Sequence, residues 1–343
     1  MTTLVLRLLL SQQFIEAYYA RGLYPLLRRL LDAIHSLIPI HFLVFVILGL
    51  LIWIMVKTLK VIKQKNTWSK FLGSLGIGTL SFLSLVFTLF TWLWGFNYGR
   101  VNIYDQLGIK GQAIPKDRMK AIAESQQQLI IELRQQTVSL PDSGETPKYV
   151  LPDQLKNSVV QATIKAFEEL NLGVPGKPIP KMLKPKGALL CISTAGFYSP
   201  WTGEPNIDAG LHPLQVPFVM AHELSHGMGV TDEGGCNFLA VLIGRKLKDP
   251  ILRYAFELSY WRYVMGSYRR QNEIAYKALR NELPPNIAND LHQIRINGDQ
   301  YPDLFPKLRN LFYDNYLKSQ GVKAGMKSYG QVVNMVEAWE SKE

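Results

Sequence analysis

Two long stretches without a charged side chain constrain this chain more than anything else in it. From Ile40 to Val56, IHFLVFVILGLLIWIMV is uncharged over seventeen residues with His41 taken as neutral. From Phe71 to Trp94, FLGSLGIGTLSFLSLVFTLFTWLW is uncharged over twenty-four. A helix needs about 20 apolar residues to cross a bilayer, so the second run is ample and the first lies near the lower limit. The expectation is an anchor in residues 1–100, with spans at about 40–61 and 71–94. Trp92 and Trp94 suit the interfacial aromatic belt. Residues 1–31 read as a short first span or an interfacial helix. Arg7 breaks their apolar run and no small-residue cleavage site follows, which argues against a signal peptide.

The connection KTLKVIKQKNTWSK carries Lys57, Lys60, Lys63, Lys65 and Lys70 and no acid. Short loops rich in lysine stay in the cytoplasm, so both flanks are expected outside, although Arg21, Arg28 and Arg29 pull the other way. The expected location is the inner (plasma) membrane, multi-pass, with residues 101–343 on the extracytoplasmic (periplasmic) side. Net charge is +11, yet residues 1–94 hold nine Lys/Arg against two Asp/Glu, and the remainder 29 against 25. The basic excess therefore reports contact with the lipid bilayer, not a nucleic-acid surface.

After the anchor, residues 116–136 and about 153–172 read as helices by their apolar spacing. Residues 176–210 mix aromatic and β-branched residues with turn signals and read as two or three short strands. Helices are expected again at about 216–228, 235–247, 250–270, 284–293, 303–319 and 328–341. Cys191 and Cys236 show no metal-finger spacing; two buried thiols are expected over a disulfide.

One segment could carry chemistry: VMAHELSHGMGVTDEGGCNFLA, residues 219–240. His222-Glu223-Leu224-Ser225-His226 is HExxH. On a helix, positions four apart share a face, so both imidazoles can reach one ion while Glu223 sits beside it. Two neutral imidazoles and a carboxylate suit Zn2+, with one position left for water. Such an ion lowers the pKa of its water, and Glu223 could take that proton and pass it to a leaving amine. Pro217 fits the first helical turn, and Gly227 and Gly229 let the chain turn back.

The third ligand has two readings. Asp232 completes a metzincin-like HExxHxxGxxD spacing. Glu233 opens Glu-x-x-x-Asn, resembling the gluzincin arrangement in which a helix-borne Glu binds zinc and Asn237 supports a ligand histidine. Glu233 is preferred, because Asn237 has no role in the other scheme. TGEPN (202–206) could offer an edge strand to a substrate backbone. A Tyr or Arg from residues 251–270 could face an oxyanion. His212 reads as a loop residue, and His35, His41 and His292 have no evident partner.

Several segments together resemble a bacterial family catalogued as a domain of unknown function, with membrane-anchored, zincin-like members. They are EAYYARGLYPLLRRLL (16–31), WLWGFNYGR (92–100), AGFYSPWTGEPNID (195–208), PFVMAHELSHGMG (217–229), NFLA (237–240) and YLKSQGVKAGMKSYGQVV (316–333). The resemblance covers nearly the whole chain. It implies an extracytoplasmic HExxH site and a peptidase-like fold. Two departures stand out: the first span is short, and a second glutamate usual in the family's acidic cluster is missing after Glu233.

The reading is an α+β, mostly helical zincin-like domain preceded by transmembrane helices. The expected function is a membrane-anchored zinc metallopeptidase that cleaves a peptide or protein substrate. His222, His226 and Glu233 hold the metal, Glu223 is the catalytic base and acid, and Asn237 orients a ligand. The rival is a catalytically inactive scaffold or sensor that keeps the fold.

Overall fold

The computed structural model describes residues 9–38, 41–63, 68–137, 139–142, 148–304 and 331–342. Most of the 303–319 helix expected from sequence, and most of the 316–333 segment, lie outside the described residues.

The N-terminal helix begins at Gln12–Phe14, runs through a π-helical stretch, Ile15–Leu23, and continues as α1 (Tyr24–Leu37). Two apolar helices follow, α2 (Phe42–Lys63) and α3 (Trp68–Leu93). Trp53 stacks on Phe82 at 5.6 Å, which pairs them as a hairpin. Among the described residues one stretch, Gly76–Leu93, is long and apolar enough to cross a membrane, and almost none of it is buried. The sequence reading counted α2 as a span too; the side chains of Leu51, Ile52, Ile54 and Met55 on it are exposed.

Beyond the hairpin come the one-turn α4 (Ile103–Gln106), α5 (Lys116–Gln135) and α6 (Leu155–Glu169). Strands β1 (Lys181–Leu183), β2 (Gly196–Ser199) and β3 (Glu204–Asp208) form one small sheet in the order β1-β3-β2. β1 runs parallel to β3, and β2 antiparallel. Helices α7 (Val216–Gly227), α8 (Glu233–Gly244), α9 (Pro250–Gln271), α10 (Glu273–Asn281), α11 (Pro285–Asp299) and α12 (Val332–Glu340) complete the described chain. The mixture is mostly helical with a three-stranded sheet, so the α+β expectation holds.

Helix α7 lies at the centre, packed on β2 and β3 to one side and on α8 to the other, with α9 laid along α5. Met220, Ala221 and Leu224 of α7 join Phe238 and Leu239 of α8 and Tyr254 and Trp261 of α9 in one core. Local chemistry sets the helix starts. Pro217 occupies the first turn of α7, where a missing N–H costs nothing. Asp232 caps α8 and Asp249 caps α9, each accepting backbone N–H groups that the helix leaves free.

The TGEPN segment is not a free edge. Its strand is the middle one, buried throughout, and β2 is the edge beside α7. The root of the hairpin accounts for that burial. Glu204 Oε1 accepts from Lys181 Nζ at 2.7 Å and from the Phe42 backbone at 2.8 Å. His35 donates through Nε2 to Thr202 O at 2.7 Å, leaving Nδ1 to accept from Lys181 Nζ at 3.2 Å. His41 bonds Asn206 Oδ1 and Met182 O. Both histidines that looked partnerless in sequence are therefore fastened to the sheet, across more than 140 residues.

Burial works to raise the Glu204 pKa, but the bonds from Lys181 and the Phe42 N–H outweigh it and hold the carboxyl below the usual range. A depressed carboxyl contributes stability above its unfolded pKa, and that contribution is lost as pH falls through the folded value. Glu204→Gln is expected to cost about 3 kcal/mol at pH 7, because it leaves Lys181 charged and buried. Thermal unfolding in detergent should show the gap from wild type narrowing below about pH 4. A gap that is absent at pH 7, or that widens on acidification, contradicts this.

Candidate metal centre

Helix α7 delivers His222 and His226 one turn apart, their ring centroids 4.9 Å apart. The chain then turns sharply at Gly229, whose φ of +91° is open to glycine without strain. A Cβ there would also meet Arg100 Nη1 at 2.8 Å and Asn97 Oδ1 at 3.0 Å. This turn returns the chain so that Glu233, in the first turn of α8, faces both imidazoles.

The two rings meet the carboxylate through the same nitrogen. His222 Nε2 lies 3.0 Å from Glu233 Oε2, and His226 Nε2 lies 3.7 Å from the same oxygen. The opposite nitrogens are already engaged. His222 Nδ1 donates to Asn237 Oδ1 at 2.9 Å, and His226 Nδ1 donates to Val230 O at 2.8 Å. With each Nδ1 donating elsewhere, each Nε2 is the nitrogen turned to Glu233: it donates to the carboxylate while the ring carries both protons, and becomes the ligand atom when a metal displaces that proton. Ligands of a tetrahedral zinc with bonds of about 2.0–2.1 Å stand roughly 3.3 Å apart, and the two separations bracket that value. The donor set fits zinc.

Asp232 and Glu233, the two readings left open by the sequence, are placed apart by the α8 cap. Asp232 Oδ2 accepts from Gly235 N and from Tyr104 Oη at 3.2 Å, so its carboxylate is spent on the helix start. Glu233 is the carboxylate that faces both imidazoles. Burial would raise its pKa, yet the bonds with His222 and His226 hold it well below the carboxylate range.

Cys236 is also close: a ligand atom from each of His222, His226 and Cys236 lies within 4.8 Å of the others. Its Sγ, however, sits 3.4 Å from His226 Nδ1, the nitrogen turned away from Glu233. Burial pushes that thiol up to about 12, which keeps it protonated. Both cysteines are free thiols.

Glu223, between the histidines, is 4% exposed, and its Oε2 has no hydrogen-bond partner among the described residues. Burial lifts its pKa to about 7, against the pull of His222 and His226. Next to it runs β2. A Cβ on Gly196 would meet Asn206 O at 2.7 Å and Glu223 Cγ at 3.0 Å, so glycine permits that approach. Pro205 faces Tyr198 across the sheet and has no N–H, so the Tyr198 and Gly196 backbone groups turn to the outer edge. The Tyr198 backbone reaches Glu223 there.

Three residues escaped the sequence reading. Trp94 Nε1 donates to His226 O at 3.0 Å, sharing that carbonyl with the Gly229 N–H, and Tyr24 Oη donates to Gly227 O at 2.8 Å, both at the end of α7. Trp94 is buried, so it is no interfacial belt residue; Trp92 stays exposed. The third is Tyr263 on α9, whose phenol is pushed up to about 12 by burial and by the Glu233 charge. Its neighbour Phe218 on α7 lies 6.0 Å away, ring to ring. Only the pairing of aromatic positions with the HExxH helix could have signalled these, and sequence spacing does not encode it.

A model of the family described as "Protein of unknown function (DUF3810)" matches residues 19–336. No curated protein and no solved structure matches the chain.

Metal analysis of the purified full chain should find one zinc per chain in wild type, Glu223→Gln and Asp232→Asn. Glu233→Ala or either histidine→Ala should lose it, and Asn237→Ala should weaken affinity about tenfold. Zinc retained by Glu233→Ala but lost by Asp232→Asn would reverse the ligand assignment.

Proposed function

Taking as premise that the chain belongs to the DUF3810 family, we propose that it is a membrane-anchored zinc metallopeptidase with a zincin-like HExxH centre. One observation carries the reading: both Nε2 atoms converge on Glu233 Oε2 while both Nδ1 atoms are occupied elsewhere. A structural histidine pair has no need of that division.

His222, His226 and Glu233 hold the ion. Zinc bound there supplies an electrophile and an acidified water. Glu223 Oε2, buried and without a hydrogen-bond partner among the described residues, takes the proton from the attacking water and returns it to the leaving amine. A peptide or protein substrate lies along the outer edge of β2, pairing with the backbone of Gly196 and Tyr198. Tyr263 is the candidate donor to the carbonyl oxygen as charge develops on it. In this reading the hairpin of α2 and α3 crosses the plasma membrane twice, and its lysine-rich connection supports an extracytoplasmic centre.

Spheroplasts expressing the full chain are expected to cleave a membrane-impermeant peptide library, and Glu223→Gln to lose at least about a hundredfold of that activity with zinc still bound. Cleavage seen only after lysis would reverse the sidedness. Identical behaviour of wild type and Glu223→Gln would favour a scaffold.

A further inference from the structure

We infer that the HExxH domain itself is seated in the bilayer surface, with the outer face of α1 and the Trp201 turn among the headgroups, and that it acts on polypeptides tethered to the same membrane. The second half rests on the metallopeptidase reading; the first does not.

Helix α1 is amphipathic in the inverted sense. Tyr24, Arg28 and His35 are buried against the domain, and Arg28 donates to Gly203 O at 2.6 Å and to Tyr198 Oη at 3.1 Å. Leu26, Leu30 and Leu37 follow the same spacing two residues on, and are 64%, 60% and 81% exposed. Two residues are roughly 200° of helical turn, so the apolar stripe faces directly away from the protein. Phe14 and Tyr18 extend it toward the N-terminus, and Arg29 flanks it. Water has no use for such a face, whereas an interfacial helix is built this way, apolar toward the acyl chains with basic residues near the phosphates.

The hairpin sets the depth. Helix α2 starts at the domain, where Phe42 N donates to Glu204, and α3 ends there, where Trp94 reaches His226. The Trp53–Phe82 pair lies eleven residues from each of these ends, so the two helices descend in step. From the turn after β2, Trp201 Nε1 donates to Val86 O at 3.0 Å. Val86 is seven residues before Leu93, about 10 Å down the helix at 1.5 Å per residue. The apolar stretch Gly76–Leu93 covers about 27 Å, close to the thickness of the hydrocarbon core. The Trp201 turn therefore overlaps the upper third of the span, and the domain cannot stand clear of the headgroups. Trp201 is 42% exposed at that level, where tryptophan partitions well.

Lipid is the occupant because the stripe is continuous with the hairpin. It runs through Leu37 and Ile38 into the exposed Val44 and Phe45 of α2. The same helix touches the centre, through Tyr24 and Gly227 O. A site this near the surface meets tethered chains at raised local concentration.

The test uses the full chain in nanodiscs of phosphatidylethanolamine and phosphatidylglycerol, with Cys191→Ser and a nitroxide at Leu26→Cys, Leu30→Cys, Leu37→Cys or, as control, Lys120→Cys. Power saturation should show oxygen access exceeding access of a water-soluble nickel chelate at the first three and the reverse at the control. Nickel access dominating at positions 26 and 30 overturns the seating, and so does exclusion of both reagents there, which would mean a second copy covers the stripe. In the same discs an acylated peptide should be cleaved at least about tenfold faster than its free form. Equal rates overturn the substrate class. Cleavage of neither peptide, with the oxygen pattern intact, removes the hydrolase reading and the substrate class with it while the seating stands.

Discussion

Two hydrogen bonds at the end of α7 join the candidate centre to α1 and to the residue that follows α3. Trp94 holds the carbonyl of His226 and Tyr24 that of Gly227. Both donors come from the first hundred residues, and both acceptors belong to the turn that positions the second imidazole. Arg100, ion-paired to Glu16 at 2.9 Å, braces the same turn. The N-terminal helices and the turn after His226 are therefore fastened to each other.

The second constraint is electrostatic. Three carboxylates, from Glu223, Asp232 and Glu233, are gathered near two imidazoles in a largely buried pocket. Their environments separate them. The bonds with the rings hold Glu233 low, burial raises Glu223, and burial also raises Asp232 despite the Gly235 N–H that its cap accepts. Such a divergence among neighbouring acids marks a functional site more than a structural one. A bare arrangement of this kind costs folding energy, and a divalent cation between the rings and Glu233 would offset it.

Much of this was legible in the sequence, for local reasons. HExxH spacing, Pro217 and the glycines gave α7 and its turn, and the expected 216–228 became Val216–Gly227. Residues 116–136 became Lys116–Gln135 because a 3.6-residue apolar period is a one-dimensional signal. Helix α10 was missed because none of its residues is buried. TGEPN read equally well as a cleft-lining segment or as a turn between strands, since alternation cannot tell a middle strand from an outer one. Trp94 and Tyr24 were read as membrane residues or left unread, because their partners lie 132 and 203 positions away. His35 and His41 were opaque for the same reason.

X-ray absorption at the zinc edge of the zinc-loaded full chain reads the proposed ligand atoms themselves. Two imidazole nitrogens and carboxylate oxygen are expected at about 2.0–2.2 Å, with no stoichiometric zinc left to measure in His226→Ala. A sulfur shell at about 2.3 Å, bringing in Cys236, or a shell of oxygens alone would contradict that ligand set.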